Sequence, residues 1–446
     1  MQWLGNYGYN NKKIGKWMAT WNGKILNNVG GLYSNDGLKQ GLWKELNRNY
    51  MNQGKVQVQV YESGSYLKNQ RCGIWIYVFN GRKIGGGSYN KQGFKDGKWI
   101  ELRDGFNKNS QVTYNGQYQN GKKVALWDIF YENKKIGGGL YNEGDDEIKI
   151  GRWIEESDGF YYFSQITFNG EYKKGKKIGL WESYFNWDGN QKIGGGLYDE
   201  VGDEIKIGRW IDFNKTYKTD SQVTYNGEYI NGKKVGRWNI WFNEYDDGWN
   251  NKQMQILNII NNIKIFSGGG LYDQEGNEIK IGRWVEQSEA FFIYSQVTYV
   301  GEYKNNKKVG RWDIWYNSYD KGWKNKKIGG GTYNKGDDEI KIGKWTELSD
   351  RFNNYTEIIY QGEYKHNQKV GKWEITYDGI QSGGGQYDED GKGIKIGNWI
   401  EFSESFHKYH QLIYDGQYKN GKKIGRWMEM DIKENKILDE ILFDDN

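Results

Sequence analysis

The chain has 446 residues, with 22 Trp, 36 Tyr, 17 Phe and 64 Gly but no Pro. This composition excludes collagen and proline-rich disordered chains, and the abundance of aromatic residues argues against disorder in general. The formal net charge is only +5, from 63 basic and 58 acidic residues, so the sequence lacks the basic surface that is typical of nucleic-acid-binding proteins.

The N-terminal segment and the cysteine content bear on the compartment of the protein. The first residues contain no apolar segment of the kind found in signal peptides, and no apolar run approaches the roughly 18 residues of a spanning helix. Cys72 is the only cysteine, so no intrachain disulfide can form. We therefore expect a reducing, cytoplasmic location.

Two repeating units alternate along the chain. The B unit reads Tyr-x-Gly-x-Tyr-x-x-Gly-Lys-Lys-x-Gly-x-Trp, and the A unit reads Gly-Gly-Gly-x-Tyr, an acidic stretch, and Ile-Lys-Ile-Gly-x-Trp. Internal repetition of this kind predicts a repeat architecture. The B units close at Trp17, Trp75, Trp127, Trp181, Trp238, Trp312, Trp373 and Trp427. The A units close at Trp43, Trp99, Trp153, Trp210, Trp284, Trp345 and Trp399.

Each unit predicts one β-hairpin. Val112, Tyr114, Gly116 and Tyr118 alternate with polar residues, which is typical of a half-buried strand. An Asn-Gly turn and a pair of solvated lysines follow, and a second strand then begins towards Trp127. We expect the Gly two residues before the second Tyr either to make room for a neighbouring ring or to mark a bulge.

The connections between units provide two candidate partner-binding surfaces. Aromatic residues recur in the connection from each A unit to the next B unit, where they form either a satellite core or an exposed ridge that binds a partner. Two long connections from B to A, with insertions at 239–267 and 313–328, are predicted to be elongated hairpins with exposed tips. The candidate residues are Phe106, Phe160, Phe163, Phe291, Phe352 and Phe406 in the ridge, and Trp241, Trp249, Trp315 and Trp323 in the long connections.

Charged residues recur at two places in the repeat. The A turns are acidic, and we expect them to lie beside the basic B turns along one edge of the array. Every A Trp is also followed two residues later by a carboxylate, which we expect to accept hydrogen bonds from Tyr hydroxyls or Lys, or to lie at a solvated rim. These carboxylates are Glu45, Glu101, Glu155, Asp212, Glu286, Glu347 and Glu401.

No catalytic, cofactor or metal site is predicted. The acidic turns lack the ligand spacing of an EF-hand. His407 and His410 lack the further ligands that a zinc site needs, and no phosphate-binding glycine loop or catalytic base beside Cys72 occurs. We therefore expect no enzymatic activity.

The fold class predicted by these patterns is all-β. Residues 1–432 are expected to form a long antiparallel meander of about 15 β-hairpins, which twists and curls as a single sheet. Ile437, Leu438, Ile441 and Leu442 have helical spacing, so residues 433–446 are predicted to form an amphipathic helix that caps the last strand. The N-terminal edge has no predicted cap and could pair with another chain.

The motifs resemble the MORN repeat, and in particular its antitoxin-like variant in bacteria. The resemblance is carried by Gly-Gly-Gly-Leu-Tyr at 137–141 with Gly151-Arg152-Trp153, and by Gly227-Glu228-Tyr229 with Gly236-Arg237-Trp238. It covers residues 5–427. The resemblance implies an array of β-hairpins that acts as a scaffold in cytoskeletal, ciliary or membrane-junction assemblies, and in some members binds anionic lipid.

Three functions are consistent with the sequence. The first is a non-enzymatic structural scaffold that binds protein partners within a large intracellular assembly. The second is a peripheral module whose paired lysines bind anionic membrane lipids. The third is an aromatic-cage repeat that binds carbohydrate or choline.

Overall fold

The structure is a computed structural model of the chain. It describes residues 2–21, 23–51, 60–144, 146–187, 189–243, 251–253, 258–260, 263–265, 268–318, 324–336 and 338–444. Within these ranges, 32 strands belong to one antiparallel sheet and two short strands form a separate pair. The predicted all-β antiparallel hairpin array is therefore confirmed.

Contacts within the chain divide it into two compact units, Met1–Ile207 and Gly208–Asn446. The first unit has short 3-10 helices at Tyr9–Asn11 and Arg48–Met51. Its strands are β1 Gln2–Tyr7, β2 Lys13–Trp21, β3 Lys24–Tyr33, β4 Lys39–Leu46, β5 Val60–Leu67, β6 Gln70–Phe79, β7 Arg82–Tyr89, β8 Lys95–Leu102, β9 Val112–Gln119, β10 Lys122–Tyr131, β11 Lys134–Tyr141, β12 Lys149–Glu156, β13 Ile166–Lys173, β14 Lys176–Phe185 and β15 Gln191–Tyr198.

The boundary between the units falls within β16, Lys206–Phe213. In the described ranges, no helix is long and apolar enough to cross a membrane. The strands that follow are β17 Gln222–Ile230, β18 Lys233–Asn243, β19 Asn251–Gln253, β20 Asn258–Ile260, β21 Ile263–Ile265, β22 Gly268–Tyr272, β23 Lys280–Gln287, β24 Gln296–Lys304, β25 Lys307–Ser318, β26 Lys324–Tyr333, β27 Lys341–Leu348, β28 Ile358–Lys365, β29 Gln368–Tyr377, β30 Ile380–Tyr387, β31 Lys395–Phe402, β32 Leu412–Lys419, β33 Lys422–Asp431 and β34 Lys436–Phe443.

The B hairpins turn at the Asn-Gly pair that the sequence predicts. In the β9–β10 hairpin, Gln119 pairs with Lys122, which leaves Asn120 and Gly121 as a two-residue loop. Both loop residues have positive φ, 49° and 86°. Such a loop matches the right-handed twist of the flanking strands and is favoured by Asn followed by Gly. The turn therefore fixes the register of the hairpin.

The triple glycines of the A units lie inside strands, and two of them lie too close to a neighbour for any side chain. Gly138 has a φ of 132°, and a Cβ on it would lie 2.2 Å from the carbonyl oxygen of Trp127. A Cβ on Gly139 would lie 2.2 Å from the ring of Trp153. The register between β11 and β12 shifts at this point, between Gly138 and Leu140. The glycines thus allow both a bulge and close ring packing.

The connections from A units to B units form hydrogen bonds with one another. Within each of the two compact units, these hydrogen bonds add a second layer of contacts to the sheet. In the first unit, the Ser110 hydroxyl donates a hydrogen bond to the carbonyl oxygen of Phe160 at 2.9 Å. In the second unit, Ser295 donates to the Phe352 carbonyl oxygen at 2.8 Å. Both serines are buried, so each hydrogen bond joins one connection to the next in a protected environment.

The long connections contain extended strands, as expected for elongated hairpins. Strand β25 pairs with β26 as far as Ser318 and Lys324, and the tip at 319–323 lies outside the described residues. Strand β18 pairs with both β19 and β22. Strands β20 and β21, which form the separate pair, also belong to the longer insertion.

The predicted helix at the C-terminus is wrong. Residues 436–443 form β34, which pairs antiparallel with β33 and places Ile441 opposite Trp427. The helical spacing of four apolar residues is a weak signal because an isolated helix of this length is marginal. The ladder hydrogen bonds of β33 provide partners for the whole segment, and the Phe443 ring contacts that of Trp427 at 6.3 Å.

Candidate binding grooves

The fifteen closing tryptophans form the core of the repeat, and each is at most 6% exposed. Trp127 shows the arrangement. Its indole N–H donates to the carbonyl oxygen of Gln117 at 3.2 Å, and its ring lies over Gly116, where a Cβ would approach to 2.1 Å. The ring of Tyr118 meets the indole edge-on, with centroids 5.1 Å apart. Gly116 therefore makes room for a ring, and the register between β9 and β10 also shifts opposite this glycine, so both predicted roles are present.

A basic side chain covers the indole of nearly every repeat, which sequence reasoning missed. The Lys123 Nζ lies 4.7 Å from the Trp127 ring centroid, and the Lys149 Nζ lies 4.7 Å from that of Trp153. The cation precedes its Trp by four residues and so lies on the same face of the strand. The pairs in the other repeats are Lys13–Trp17, Lys39–Trp43, Arg71–Trp75, Lys95–Trp99, Lys177–Trp181, Lys234–Trp238, Lys280–Trp284, Lys308–Trp312, Lys341–Trp345, Lys369–Trp373, Lys395–Trp399 and Lys423–Trp427.

The prediction that both lysines of the B turns are solvated is therefore wrong for the second of them. Lys122 is exposed, whereas Lys123 is half-buried against aromatic rings. Alternation along the strand places the two side chains on opposite faces. The signal that could have identified the buried cation is the constant Lys-x-x-x-Trp spacing.

The carboxylate after each A Trp accepts a hydrogen bond from a Tyr hydroxyl, as predicted. Glu155, for example, binds the hydroxyl of Tyr172 at 3.0 Å and forms ion pairs with Lys149 and, at 3.3 Å, with Lys177. The other pairs are Tyr66–Glu45, Tyr77–Glu101, Tyr229–Asp212, Tyr303–Glu286, Tyr364–Glu347 and Tyr418–Glu401.

The electrostatics of this cluster stabilise the charged carboxylate. Burial alone would raise the pKa of Glu155, but Lys149, Lys177 and the Tyr172 hydroxyl together hold that pKa below its ordinary value. Burial and the nearby Glu155 raise the pKa of Tyr172 above its ordinary value. At neutral pH the cluster therefore contains an ionised carboxylate and a neutral phenol.

These clusters line one groove in each unit. Groove 1, of about 790 Å³, runs along β8–β14 and is bordered by the connections near 103 and 158. Groove 2, of about 960 Å³, runs along β17–β27 in the second unit and is lined in part by Lys280, Glu286, Lys308 and Phe352. Both grooves combine aromatic, basic and acidic side chains, and their size is that of ordinary ligand sites.

Most of the predicted aromatic ridge is buried. Phe106, Phe160, Phe291, Phe352 and Phe406 are between 2% and 6% exposed. The ring of Phe160 packs edge-on against Tyr131 at 5.2 Å, and that of Phe352 packs against Tyr316 at 5.0 Å. These five rings therefore form satellite cores and present no free face to a partner.

Phe163 is the exception among the predicted ridge residues, because it is 46% exposed. It lies beside Tyr162 and stacks on Trp187, with centroids 5.6 Å apart. Tyr162 and Phe163 are exposed, and together with the partly buried Trp187 they form an aromatic cluster on the surface of the first unit.

Two of the four predicted tryptophans of the long connections lie within the described residues. Trp241 and Trp315 are half-buried, and Trp315 packs against the cluster of Val285 and Val300. Trp249 and Trp323 lie outside the described residues.

The acidic and basic turns lie on the same edge within each unit, as predicted. Lys176 forms an ion pair with Glu204 at 3.5 Å, and Lys233 forms one with Glu278 at 3.4 Å. Glu147 accepts a hydrogen bond from the backbone N–H of Lys123 at 2.8 Å. These contacts hold neighbouring hairpins in register, although exposed ion pairs contribute only about 0–1 kcal/mol each.

The histidines and the cysteine occupy surface turns and a strand. His407 and His410 pair across a tight connection, with ring centroids 5.9 Å apart. The Cys72 thiol lies 3.5 Å from the Ser65 carbonyl oxygen. Within the part of the chain that the structure describes, no three His, Cys, Asp or Glu side chains are grouped closely enough to hold a metal ion.

Comparison with known proteins gives no family assignment. A scan against protein-family models finds no match, and a search of curated proteins also finds no match.

Proposed function

We propose that the chain is a non-enzymatic, MORN-like repeat scaffold that binds protein partners within a large intracellular assembly. The observation that carries the proposal is the pairing of nearly all closing tryptophans of the repeats with cations of the same chain. The carboxylates that follow the A tryptophans, called ladder carboxylates below, are paired with cations in the same way. These side chains form a repeated packing unit, and the regular array spreads contact surface over many hairpins. A cytoskeletal or ciliary assembly is the expectation that follows from the resemblance to MORN repeats.

The same observation weighs against a choline- or carbohydrate-binding repeat. An aromatic cage binds a ligand cation or sugar on an open ring face. Here the ammonium of Lys149 already lies 4.7 Å from the Trp153 centroid and 5.1 Å from that of Tyr172. The cages of this repeat are therefore filled by the chain itself.

Binding of anionic lipid is the second candidate, and it rests on the exposed lysines at the B turns. The pairing of Lys176 with Glu204 and of Lys233 with Glu278 reduces the positive charge that these turns offer to a membrane. Flotation with vesicles rich in phosphatidylserine tests this alternative, and the scaffold proposal predicts that the protein stays in the unbound fraction.

Proximity labelling and affinity purification from the native cell test the scaffold directly. We expect a reproducible set of partners that co-elutes with the chain in a high-mass fraction. The matched control is a variant with Trp127→Ala, in which the repeat packing is disrupted and the set should be reduced. A chain that elutes alone under native conditions contradicts the proposal.

A further inference from the structure

Among the B-strand cations that follow an A unit, Lys123 differs from the others because it has no carboxylate partner. In six repeats the carboxylate after the A Trp contacts the cation of the next B strand. These contacts are Arg71–Glu45, Lys177–Glu155, Lys234–Asp212, Lys308–Glu286, Lys369–Glu347 and Lys423–Glu401, at 3.1–3.9 Å. Among the described residues, no carboxylate lies within ion-pair distance of the Lys123 Nζ.

The neighbouring carboxylate, Glu101, is occupied by other groups. It pairs with Lys95 and accepts a hydrogen bond from Tyr77 at 3.3 Å. Tyr77 is peculiar to this repeat, since the corresponding residue elsewhere is usually aliphatic, as at Ile129. Glu147 binds the backbone N–H of Lys123 rather than its ammonium group. The Lys123 ammonium therefore lies in groove 1 without a direct counter-ion.

The surroundings of Lys123 disfavour the charged form of its ammonium group. Its Nζ lies among three rings, 4.7 Å from the centroid of Trp127 and 5.6 Å from those of Tyr114 and Tyr141. Burial, opposed by the more distant Glu101 and Glu147, lowers the pKa of Lys123 below its ordinary value. An added anion stabilises a half-buried cation of this kind, because the cation has already lost part of its hydration.

The chain itself shows how this groove binds a carboxylate. Glu155 lies between two lysine ammonium groups and a Tyr hydroxyl. At Lys123 a smaller set of donors is present. Lys123 provides one ammonium group, and Tyr141 lines the same groove with a hydroxyl that has no hydrogen-bond partner among the described residues. A carboxylate from outside the chain would accept hydrogen bonds from both donors.

The geometry of groove 1 favours an extended polymer over a small molecule. Lys95, Lys123 and Lys149 lie on alternate strands, β8, β10 and β12, so that neighbouring cations are about 10 Å apart at about 4.8 Å per strand. An extended peptide advances about 3.3 Å per residue. Acidic residues at every third position would therefore follow the spacing of the lysines. Lys95 and Lys149 already pair with Glu101 and Glu155, so the contact that a partner carboxylate adds is the one to Lys123.

We propose that groove 1 binds an extended acidic peptide segment of a partner protein, with one carboxylate on the Lys123 ammonium and the Tyr141 hydroxyl. The inference rests on the proposed scaffold function and names the chemistry of its partner. The indoles of the groove are covered by lysines, so the site favours carboxylates over ligands that bind by stacking.

The test measures binding of a labelled peptide with Glu at every third position to the full chain by fluorescence anisotropy. The Lys123→Met variant is expected to lose about tenfold or more in affinity, since a charge-assisted contact is removed. Lys122→Met is the matched control because it removes the same charge from the adjacent, exposed position, and its affinity should stay within about twofold. Equal losses in both variants overturn the proposal.

Protection of lysines from acylation tests the proposal in the unaltered protein. Acylation of lysines, followed by mass spectrometry, should show that the peptide protects Lys123 but not Lys122. The same peptide with Gln in place of Glu should give no protection. If inorganic polyphosphate or phosphatidylserine vesicles protect Lys123 and the acidic peptide does not, the assigned peptide chemistry is wrong.

Failure of this site can be distinguished from failure of the scaffold function. If partners co-purify with the chain but the acidic peptide does not protect Lys123, the scaffold stands and groove 1 is not the site. If no partner co-purifies, the proposed function itself fails.

Discussion

At the scale of single residues, the contact that recurs along the chain is a Trp ring packed directly on a glycine. A Cβ on Gly116 would lie 2.1–2.5 Å from ring atoms of Trp127, and the same contact recurs at Gly170 and Trp181. Real Cβ atoms do not approach this closely, so the ring would have to leave its place. The glycines of the B units are therefore required by packing, in addition to those that form turns.

Replacement of Gly116 by Ala should destabilise the first unit by about 1–3 kcal/mol, as is typical for overpacking of a core. Gly159→Ala is the matched control, because a Cβ at that position meets nothing within 4 Å and its φ is compatible with Ala. Urea denaturation followed by Trp fluorescence measures the difference. Equal stability of the two variants would show that the ring does not rest on Gly116.

The ladder carboxylates predict a loss of stability in acid. Burial would raise the pKa of Glu347, but Lys341, Lys369 and Tyr364 hold it below its ordinary value of 4.5. The folded state therefore binds this proton less readily than the unfolded state, so the stabilisation is complete above pH 4.5 and is lost as the pH falls through the lower, folded-state pKa.

Glu347→Gln should accordingly reduce the dependence of stability on pH in this window. Glu363→Gln is the control, because Glu363 is exposed on the adjacent strand β28. Urea midpoints measured from about pH 7 to about pH 3 compare the variants. An unchanged pH dependence in Glu347→Gln would contradict the role assigned to this carboxylate.

The buried tyrosines predict that the folded state also loses stability at alkaline pH. Burial, followed by the charge of Glu147, raises the pKa of Tyr141 to about 12. Stability from this phenol is complete below the unfolded value of 10.0 and is lost as the pH rises through about 12. Tyrosinate absorbance should show a class of tyrosines that titrates only as the protein unfolds. Titration of all 36 tyrosines near pH 10 would contradict the burial of these phenols.

At the scale of elements, the six A-to-B connections that the structure describes in full each contain a buried ring. Phe352 packs against Tyr316, and its carbonyl oxygen binds the buried Ser295 hydroxyl. Phe352→Ala should destabilise the second unit by about 3–5 kcal/mol, as is typical for loss of a core Phe. Tyr355→Ala, a 41% exposed residue of the same connection, is the control. Comparable urea midpoints for both variants would contradict a core role for Phe352.

Sequence patterns predicted the hairpins, their turns and the buried tryptophans because these depend on local alternation and on residues with special φ values. They also predicted the Tyr–carboxylate bonds, since i and i+2 share a face of a strand. The cation above Trp127 was missed, because a Lys after an Asn-Gly turn looks solvated until the register is known. The segment with Ile437 and Leu438 was read as a helix because its partner strand, β33, contributes nothing to a local pattern.

At the scale of the whole molecule, a repeat array should lose stability locally. Each hairpin contacts mainly its neighbours in sequence, so a defect in one repeat affects the adjacent repeats first. Trp127→Ala should raise hydrogen exchange in β8–β14 and leave β28–β33 unchanged, as measured by mass spectrometry. A uniform increase along the chain would indicate a single cooperative unit.

The acidic-peptide site proposed for the scaffold requires that the carboxylates of a partner reach groove 1. Zero-length carbodiimide coupling joins a lysine amine directly to a carboxylate and can be applied to the assembly in a native extract. Mass spectrometry should then place an acidic segment of a partner on Lys123, with Lys122 much less coupled. Coupling of partners only to the exposed Lys122, or no coupling of a partner to the groove, would contradict the account.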